Sequence, residues 1–278
     1  MFKKIKRMDT YDLVTNIIVF IGAILFLFPL LWLAVSTFKN SVEIYQTPPN
    51  FWPQNFTLDN IKELFVNQPT WRWIWNSFLV SSLTALLSVF FSALAAYGFA
   101  KLKIKGRNVL FILIIASIMV PKETFVVPLF QIIVDLDWLN TYTAMIVPNL
   151  ATGFGTFMLF SFFVSIPDSI RESAKIDGAN EWTIFSRLML PIAKPGIAAL
   201  FILNFVTAWN DYLWQLLMGR TQEMQTLNVG VATLQQSLNP NLGLKVAGAA
   251  IAALPMIIVF IIFQRFFIAG ATDGAVKE

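Results

Sequence analysis

Three polar side chains interrupt an apolar stretch in the last third of the chain, at a spacing that could bring them side by side. Asn204, Asp211 and Gln215 are seven and four residues apart, so a continuous helix would carry all three on one face. At about 100° per residue, Tyr212 and Trp214 would flank that face. Two readings stay open: the polar groups could hold helices together through hydrogen bonds, or they could line a wet pathway in which a carboxylate is tolerated.

A second polar interruption, Lys122 and Glu123, lies in another apolar stretch between Pro121 and Pro128. The prolines predict a broken helix. Neighbouring residues on a helix point about 100° apart, so the two charges cannot neutralise each other side by side. Either each charge pairs with a different helix, or the broken segment lines a wet cavity, and the sequence leaves both alternatives open.

The longest polar segment has the pattern of two short helices joined by a turn. Ser169 and Glu172 have the spacing of a capping box, which predicts the start of the first helix. Gly178 stands where a helix needs a left-handed residue to stop. Asn180 can cap a second helix, and Pro191 is predicted to end it. This pattern fits a plain linker between two membrane spans and a docking element equally well.

The composition indicates which solvent surrounds these residues. Of the 278 residues, 57% are hydrophobic and 13% are charged, and the mean hydropathy is +0.68. A soluble domain typically has about 25% charged residues. We therefore predict an all-α polytopic membrane protein. The chain has no cysteine and no histidine, so we expect no metal site, no cofactor and no disulfide.

Apolar runs that can cross a bilayer core of about 30 Å divide the chain. We predict a cytosolic N-terminal segment (1–12), a first transmembrane helix (13–38), an external loop (39–75), a core of five further helices (76–268) and a cytosolic tail (269–278). The long polar segment, 167–195, joins two helices of that core. The apolar runs of the core cover residues 76–100, 109–134, 144–164, 196–218 and 247–268.

The basic residues predict the orientation of these helices. Of the 20 Lys and Arg residues, 14 fall on the side of the N-terminus, five fall on the opposite side, and Lys122 lies inside a span. By the positive-inside rule, both termini and the segment 167–195 are cytosolic. Because the basic residues stand in short loops beside apolar runs, we exclude nucleic acid as a partner. The loop 39–75, rich in Pro and Trp, is predicted to be irregular, and either an aromatic belt or a binding surface fits it.

The segment 167–195 also carries a long sequence signature. It resembles E-A-A-x-x-D-G-A-x-x-x-x-x-F-x-x-x-x-L-P-x-x-x-P, which is typical of the membrane subunits of binding-protein-dependent ABC importers, and departs from it only at Ser173, where that family more often has Ala. In that family the segment is a coupling helix that inserts into a groove of a cytosolic ATPase subunit. By this resemblance, the candidate ATPase-coupling residues are Glu172, Ser173, Ala174, Asp177, Gly178, Ala179, Phe185 and Pro191.

Three further stretches resemble the carbohydrate-uptake branch of the family. They are Ala208–Tyr212 (A-W-N-D-Y), the stretch 48–61 of the external loop, and the tail 264–278, which is similar to that of a maltose permease subunit. Trp209 and Asn210 become site candidates only through this resemblance. The candidate pathway residues are Asn204, Trp209, Asn210, Asp211, Tyr212, Trp214, Gln215, Lys122 and Glu123.

The resemblance implies a type I ABC importer permease fold with six transmembrane helices and a cytosolic coupling helix, in the cytoplasmic (inner) membrane of a bacterium or archaeon. It also implies a second homologous permease subunit, a cytosolic dimer of ATP-binding subunits and an extracytoplasmic solute-binding protein as partners. The expected function is to form half of the pathway for a sugar, such as an oligosaccharide.

Hydrolysis of ATP is expected in a partner and not in this chain. The sequence has no phosphate-cradling G-x-x-x-x-G-K-[ST] motif, and we expect no catalytic residues. An importer of the same architecture for a non-sugar solute, such as glycerol phosphate or a polyamine, is the first alternative. The second is an ion-coupled secondary transporter, which we disfavour because the chain has isolated acids, no histidine and no evident internal repeat.

Overall fold

The structure is a computed structural model that describes the backbone of residues 10–234 and 241–273, and the side chains in these ranges except those of 10, 12 and 264–273. Every regular element in the described ranges is a helix, which confirms the all-α prediction. Most of the predicted N-terminal segment, the end of the predicted tail and the side chains that carry the tail resemblance lie outside the described residues.

The helices follow one another with short connections. In chain order they are α1 (Thr10–Ser36), α2 (Ser41–Tyr45), α3 (Asp59–Val66), α4 (Thr70–Lys101), α5 (Arg107–Ile118), α6 (Val126–Asp135), α7 (Tyr142–Ile146), α8 (Gly153–Ser165), α9 (Asp168–Ile176), α10 (Glu181–Ile184), α11 (Leu190–Ile192), α12 (Lys194–Trp209), α13 (Leu213–Met218), α14 (Leu227–Thr233) and α15 (Leu242–Asp273). Tighter 3-10 turns cover Lys122–Phe125, Val147–Asn149 and Gln222–Met224, and a wider π turn covers Phe185–Met189.

Within residues 10–234 and 241–273, three helices are long and apolar enough to cross a membrane, and three bent pairs bring the number to as many as six. The straight spans are Leu13–Ser36, α4 and the Leu242–Phe263 part of α15. The bent pairs join α5 to 122–135 at 93°, 142–149 to α8 at 49°, and 181–192 to α12 at 79°. The predicted number of spans agrees with this count. The break predicted near Pro121 agrees with the first bent pair, whereas continuous helices over 144–164 and 196–218 are wrong, because each of these two stretches contains a break.

The described part of the chain divides into two compact units, the first made of residues 10–69, 231–234 and 241–254 and the second of residues 70–230 and 255–273. In the first unit, a carboxylate orders the stretch after α2. Glu43 is nearly buried, and its two carboxylate oxygens accept the backbone N–H groups of Asn55 at 2.9 Å and Gln54 at 3.1 Å. Asn40 caps α2 by accepting the N–H of Glu43 at 2.8 Å. These bonds fix residues 54 and 55 against α2.

A buried cation stands beside this carboxylate. The Lys39 ammonium donates to the backbone carbonyl of Asn50 and lies 4.5 Å from the centre of the Trp32 ring. Burial lowers the pKa of Lys39, and the nearby charge of Glu43 opposes that shift.

The prediction of an irregular loop over 39–75 is wrong in two respects. The stretch contains two helices, and its last residues belong to α4, which begins at Thr70.

In the second unit, α4 is the central helix and packs against α8 and α12. Small residues permit close approach within this group of helices. A Cβ atom at Gly155 of α8 would lie 2.5 Å from the Ser92 hydroxyl of α4, and one at Gly196 of α12 would lie 2.5 Å from the Phe162 ring of α8. Two apolar clusters border α4. One contains Leu159, Phe163, Ile184, Phe185 and Leu200, and the other contains Val80, Ile133, Met145, Trp214 and Met218.

The bonds made by Glu43 predict the stability of the first unit. In Glu43→Ala, two part-buried N–H groups lose their acceptor, and we expect a loss of about 1–3 kcal/mol. Thermal unfolding of the purified chain in detergent measures it. Asp59→Ala is the matched control, because Asp59 is an exposed acid in the first turn of α3, where its removal should cost at most about 1 kcal/mol. Equal losses in the two variants would contradict the role of Glu43.

Candidate functional site

The polar residues of the fifth predicted span do not share one helical face, because the helix is interrupted between them. α12 ends at Trp209, and α13 begins only at Leu213. Asp211 lies in the interruption, where its Oδ1 accepts the backbone N–H of Trp214 at 3.3 Å. The prediction of a continuous stripe through Asn204, Asp211 and Gln215 is therefore wrong. The break removes the common helical phase that would have placed these three side chains on one face.

Four of the nine candidate pathway residues are mainly packed against, or bonded to, other parts of the second unit. Asn204 donates to the Ser88 hydroxyl of α4 at 3.1 Å, as expected of a hydrogen bond between helices. Trp209 is buried against Phe205, with ring centres 5.9 Å apart, and Trp214 donates to the Ala144 carbonyl at 2.9 Å. Gln215 is also buried.

The cavity that contains the other candidates has a volume of about 790 Å³. Lys122, Glu123, Asn210, Asp211 and Tyr212 all line it, and one side of Trp214 does so as well. The structure thus brings together two interruptions that are 89 residues apart in the chain. Asn204, Trp209 and Gln215 are not among the lining residues.

An ion pair joins the two interruptions across this cavity. The Lys122 ammonium lies 2.9 Å from Oδ2 of Asp211. The Lys122 side chain is 55% exposed, whereas that of Asp211 is 7% exposed, so the carboxylate is recessed and the cation stands over it. Both alternatives left open for Lys122 therefore apply, because it pairs with another span and it lines a cavity. Glu123 is exposed on the same wall.

Three helix interruptions border this cavity. Its wall includes Pro121 from the bend after α5, Thr152 from the bend before α8, and Asp211 from the interruption between α12 and α13. The third bent pair turns elsewhere, between α11 and α12. Backbone that leaves the helix at membrane depth needs protein or water as a hydrogen-bond partner, and Asp211 is such a partner for the N–H of Trp214. The break at 150–152 was not predicted, although Pro148 and Gly153 beside it were available signals.

The segment 167–195 has the predicted two-helix form with two corrections. Gly178 has a φ of +82° and stops α9, and Asn180 caps α10 by accepting the N–H of Thr183 at 2.8 Å. The capping box is wrong, because α9 already begins at Asp168 and no side chain caps it. Pro191 does not end the second helix either. It lies within α11, and the bend comes after it, between α11 and α12.

The predicted coupling residues divide by exposure. Glu172, Ser173, Asp177, Gly178 and Pro191 are exposed, Ala179 is half-buried, and Ala174 and Phe185 are buried in the apolar cluster beside α4. Two apolar side chains on the exposed side escaped the sequence analysis. Ile176 is 87% exposed and Trp182 is 58% exposed. An exposed apolar surface beside charges is typical of a contact with another protein.

Ion pairs attach α9 to its neighbours. The Lys101 side chain at the end of α4 is buried, and its ammonium donates to Asp168 and to the Ile166 carbonyl, both at 2.6 Å. This bond holds the pKa of the Asp168 carboxyl below its usual range, so the pair persists at neutral pH and is lost only as acid protonates the carboxylate. The bond to Glu181 raises the pKa of Arg171.

In the described ranges, no group of three acidic side chains could hold a metal ion.

Known proteins with similar sequences are transport permeases. An arabinooligosaccharide transport system permease protein, AraQ, of Halalkalibacterium halodurans is 37% identical over 92% of both chains, and AraQ of Bacillus subtilis is 33% identical over 100% of both. The lactose transport system permease protein LacG of Rhizobium radiobacter is 30% identical over 96% of both.

A solved structure has the same fold. In the crystal structure of a bacterial ABC transporter involved in the import of the acidic polysaccharide alginate, one chain matches with a TM-score of 0.80 and 21% identity, over 96% of this chain and 99% of that one. This match confirms the predicted permease fold. The sequence profile of the family described as "Binding-protein-dependent transport system inner membrane component" matches residues 88–272. The chain therefore belongs to the inner membrane components of binding-protein-dependent transport systems.

Proposed function

We propose that the chain is the permease subunit of an ATP-driven sugar importer, in which it forms half of the translocation pathway and couples to a separate ATPase. The observation that carries the proposal is the cavity where three helix interruptions bring charged and amide side chains together. Relatives named for arabinooligosaccharides and lactose support a sugar as the solute. The further partners would be a second homologous permease subunit and an extracytoplasmic solute-binding protein.

The chemistry of the cavity suits an uncharged solute with many hydroxyl groups. Asn149, Asn210 and Asp211 offer amide and carboxylate groups, and the half-exposed ring of Tyr212 offers an aromatic face. Lys122 and Asp211 cancel in charge, and Glu123 leaves this wall with one net negative charge. A phosphate-bearing solute would meet that charge, so the wall favours a sugar over glycerol phosphate, although a permease named for sn-glycerol-3-phosphate is 28% identical.

The exposed side of α9 is the proposed contact with the ATPase. Glu172, Ser173 and Asp177 point away from the apolar cluster, and Ile176 and Trp182 stand exposed near them. The buried Ala174 and Phe185 would act differently, by fixing the segment to the rest of the chain. Gly178 would permit the sharp turn that separates α9 from α10, since its positive φ disfavours any residue with a Cβ atom.

The orientation of the chain is a prediction that cysteine labelling can test, because the chain has no cysteine of its own. We expect a single cysteine at position 222 to react with an impermeant reagent from outside. We expect one at the exposed position 176 to react only after the membrane is permeabilised. Labelling of position 176 in intact cells would overturn a cytosolic coupling segment.

Removal of Glu172 should weaken the bond to the ATPase. If its carboxylate forms a buried ion pair in the complex, Glu172→Ala should cost about 2–5 kcal/mol of association. Gly178→Ala should also reduce association, because it strains the turn. The measurement is co-purification of the ATPase subunit at several salt concentrations. Glu223→Ala, at another exposed glutamate, is the matched control. Retention of the ATPase by both coupling variants would refute this contact.

The ion pair in the cavity should matter for uptake and not for assembly. Asp211→Asn leaves the Lys122 cation unpaired, and we expect solute uptake to fall about tenfold, which corresponds to about 1.4 kcal/mol. Lys122→Met should act similarly, and the double variant should lose less than the two single losses combined, because the residues are in contact. Uptake and co-purification are measured together.

Two further variants control for trivial effects on the pathway. Asp135→Asn changes an exposed carboxylate that bonds Gln131 on the same helix and does not line the cavity, so uptake should stay unchanged. Asn204→Ala removes the bond to Ser88 between helices. Normal uptake in Asp211→Asn together with failed assembly in Asn204→Ala would identify the polar residues as packing contacts.

A further inference from the structure

A cluster of charged side chains outside the cavity ties the coupling segment to α4. Glu181, the first residue of α10, is its centre. Its Oε2 accepts the Tyr97 hydroxyl at 2.6 Å and Nε of Arg171 at 3.2 Å. Its Oε1 accepts a second nitrogen of Arg171 and the Lys175 ammonium at 2.7 Å. One carboxylate thus joins α4, α9 and α10.

Tyr97 connects this cluster to the apolar core. The residue is buried, and its ring centre lies 5.2 Å from that of Phe185 in the π turn and 6.0 Å from that of Phe163 in α8. One turn further along α4, Lys101 bonds the beginning of α9 through Asp168. α4 therefore holds α9 at its first residue through Lys101, and near its last residues through Tyr97 and Glu181.

The same helix reaches the cavity at another level. Ser88 of α4 is bonded to Asn204 of α12 and lies 3.4 Å from the Thr152 hydroxyl, and Thr152 lines the cavity. Ser88 and Tyr97 are nine residues apart on one uninterrupted helix, which is about 13 Å at 1.5 Å per residue. Contiguous contacts and rigid elements of this kind carry energetic coupling between distant sites.

We infer that Tyr97, Lys101 and Glu181 are positioning residues that fix the coupling segment rigidly to α4, so that a displacement of the segment moves α4 and thereby the cavity wall. The inference rests on the proposed function, because it needs an ATPase that displaces the segment. None of the three residues belongs to the sequence signature of the segment. They act on transport through Ser88 and Thr152 and touch neither solute nor nucleotide.

A merely stabilising role and a positioning role predict different losses. If the cluster only stabilises the fold, its removal should reduce the amount of assembled complex, and each remaining complex should work normally. If it transmits motion, complexes should assemble, bind the ATPase and hydrolyse ATP, but should move fewer solute molecules per ATP. The ratio of solute transported to ATP hydrolysed therefore separates the two roles.

The test compares two tyrosine variants in the full complex reconstituted in liposomes. Tyr97→Phe removes the hydroxyl that bonds Glu181 and keeps the packed ring. Tyr142→Phe is the matched control, because it removes a part-buried hydrogen bond from a tyrosine hydroxyl of similar length, 2.7 Å to Asn76, in the same unit. We expect the transport-to-ATP ratio to fall at least threefold in Tyr97→Phe and in Glu181→Gln, and to stay unchanged in Tyr142→Phe. Equal ratios in all of them would overturn the inference.

A distance measurement on the chain reports the rigidity directly. Spin labels at Ser173→Cys on α9 and Phe91→Cys on α4 use two exposed positions of a chain without cysteine. We expect a narrow distance distribution in the otherwise unchanged chain and a broad one when Glu181→Gln is added. An unaltered distribution in Glu181→Gln would contradict the inference.

These outcomes are distinct from failure of the proposed function. If no ATPase associates with the unaltered chain, the proposed function fails and the ratio cannot be defined, but the spin-label distances still test the rigid attachment. If the ATPase associates with the unaltered chain and is lost only in Glu181→Gln, the cluster builds the docking surface, and its proposed role in transmitting motion is wrong.

Discussion

The structure depends on one constraint: backbone that leaves a helix among apolar surroundings must still find hydrogen-bond partners. Three helix interruptions of the second unit, at residues 119–121, 150–152 and 210–212, border one cavity. Asp211 meets this constraint with one oxygen, which accepts the backbone N–H of Trp214 where α13 begins, and its other oxygen accepts the Lys122 ammonium from the first break. The same requirement that makes broken spans costly in lipid thus gathers polar groups where a solute could use them.

An unbroken helix is the counterpart of these breaks. α4 runs from Thr70 to Lys101 without interruption and packs against α8 and α12, which both end or begin at the cavity. Close packing against α8 allows it to act as a rigid element, because a Cβ atom at Gly155 of α8 would already lie too close to the Ser92 hydroxyl of α4. A cavity bordered by helix breaks needs an unbroken helix packed beside it. Without that helix, each break would act as a hinge, because nothing would fix the segments on its two sides.

Sequence reasoning succeeded where a feature was local. The left-handed turn at Gly178 and the cap at Asn180 follow from neighbouring residues, and Pro121 marks its break in the same way. It failed where a feature depended on continuity over a long stretch. The single polar face assumed an unbroken helix from Asn204 to Gln215, and the interruption at 210–212 carries no proline or glycine to announce it. The pairing of residues 122 and 211 is non-local and could not be read from the spacing.

The residues of one sequence signature also have different physical roles. The residues of the coupling signature share one stretch of chain, but Ala174 and Phe185 are buried whereas Glu172 and Ser173 are exposed. A match to the signature cannot separate these roles, because packing in the core and contact with a partner protein both restrict the residue type. Burial separates them. It also reveals Tyr97, Lys101 and Glu181, which match no signature and hold α9 against the membrane-spanning part. Since an exposed contact can transmit force only when its base is fixed, the proposed coupling would need these three residues as much as it needs the signature.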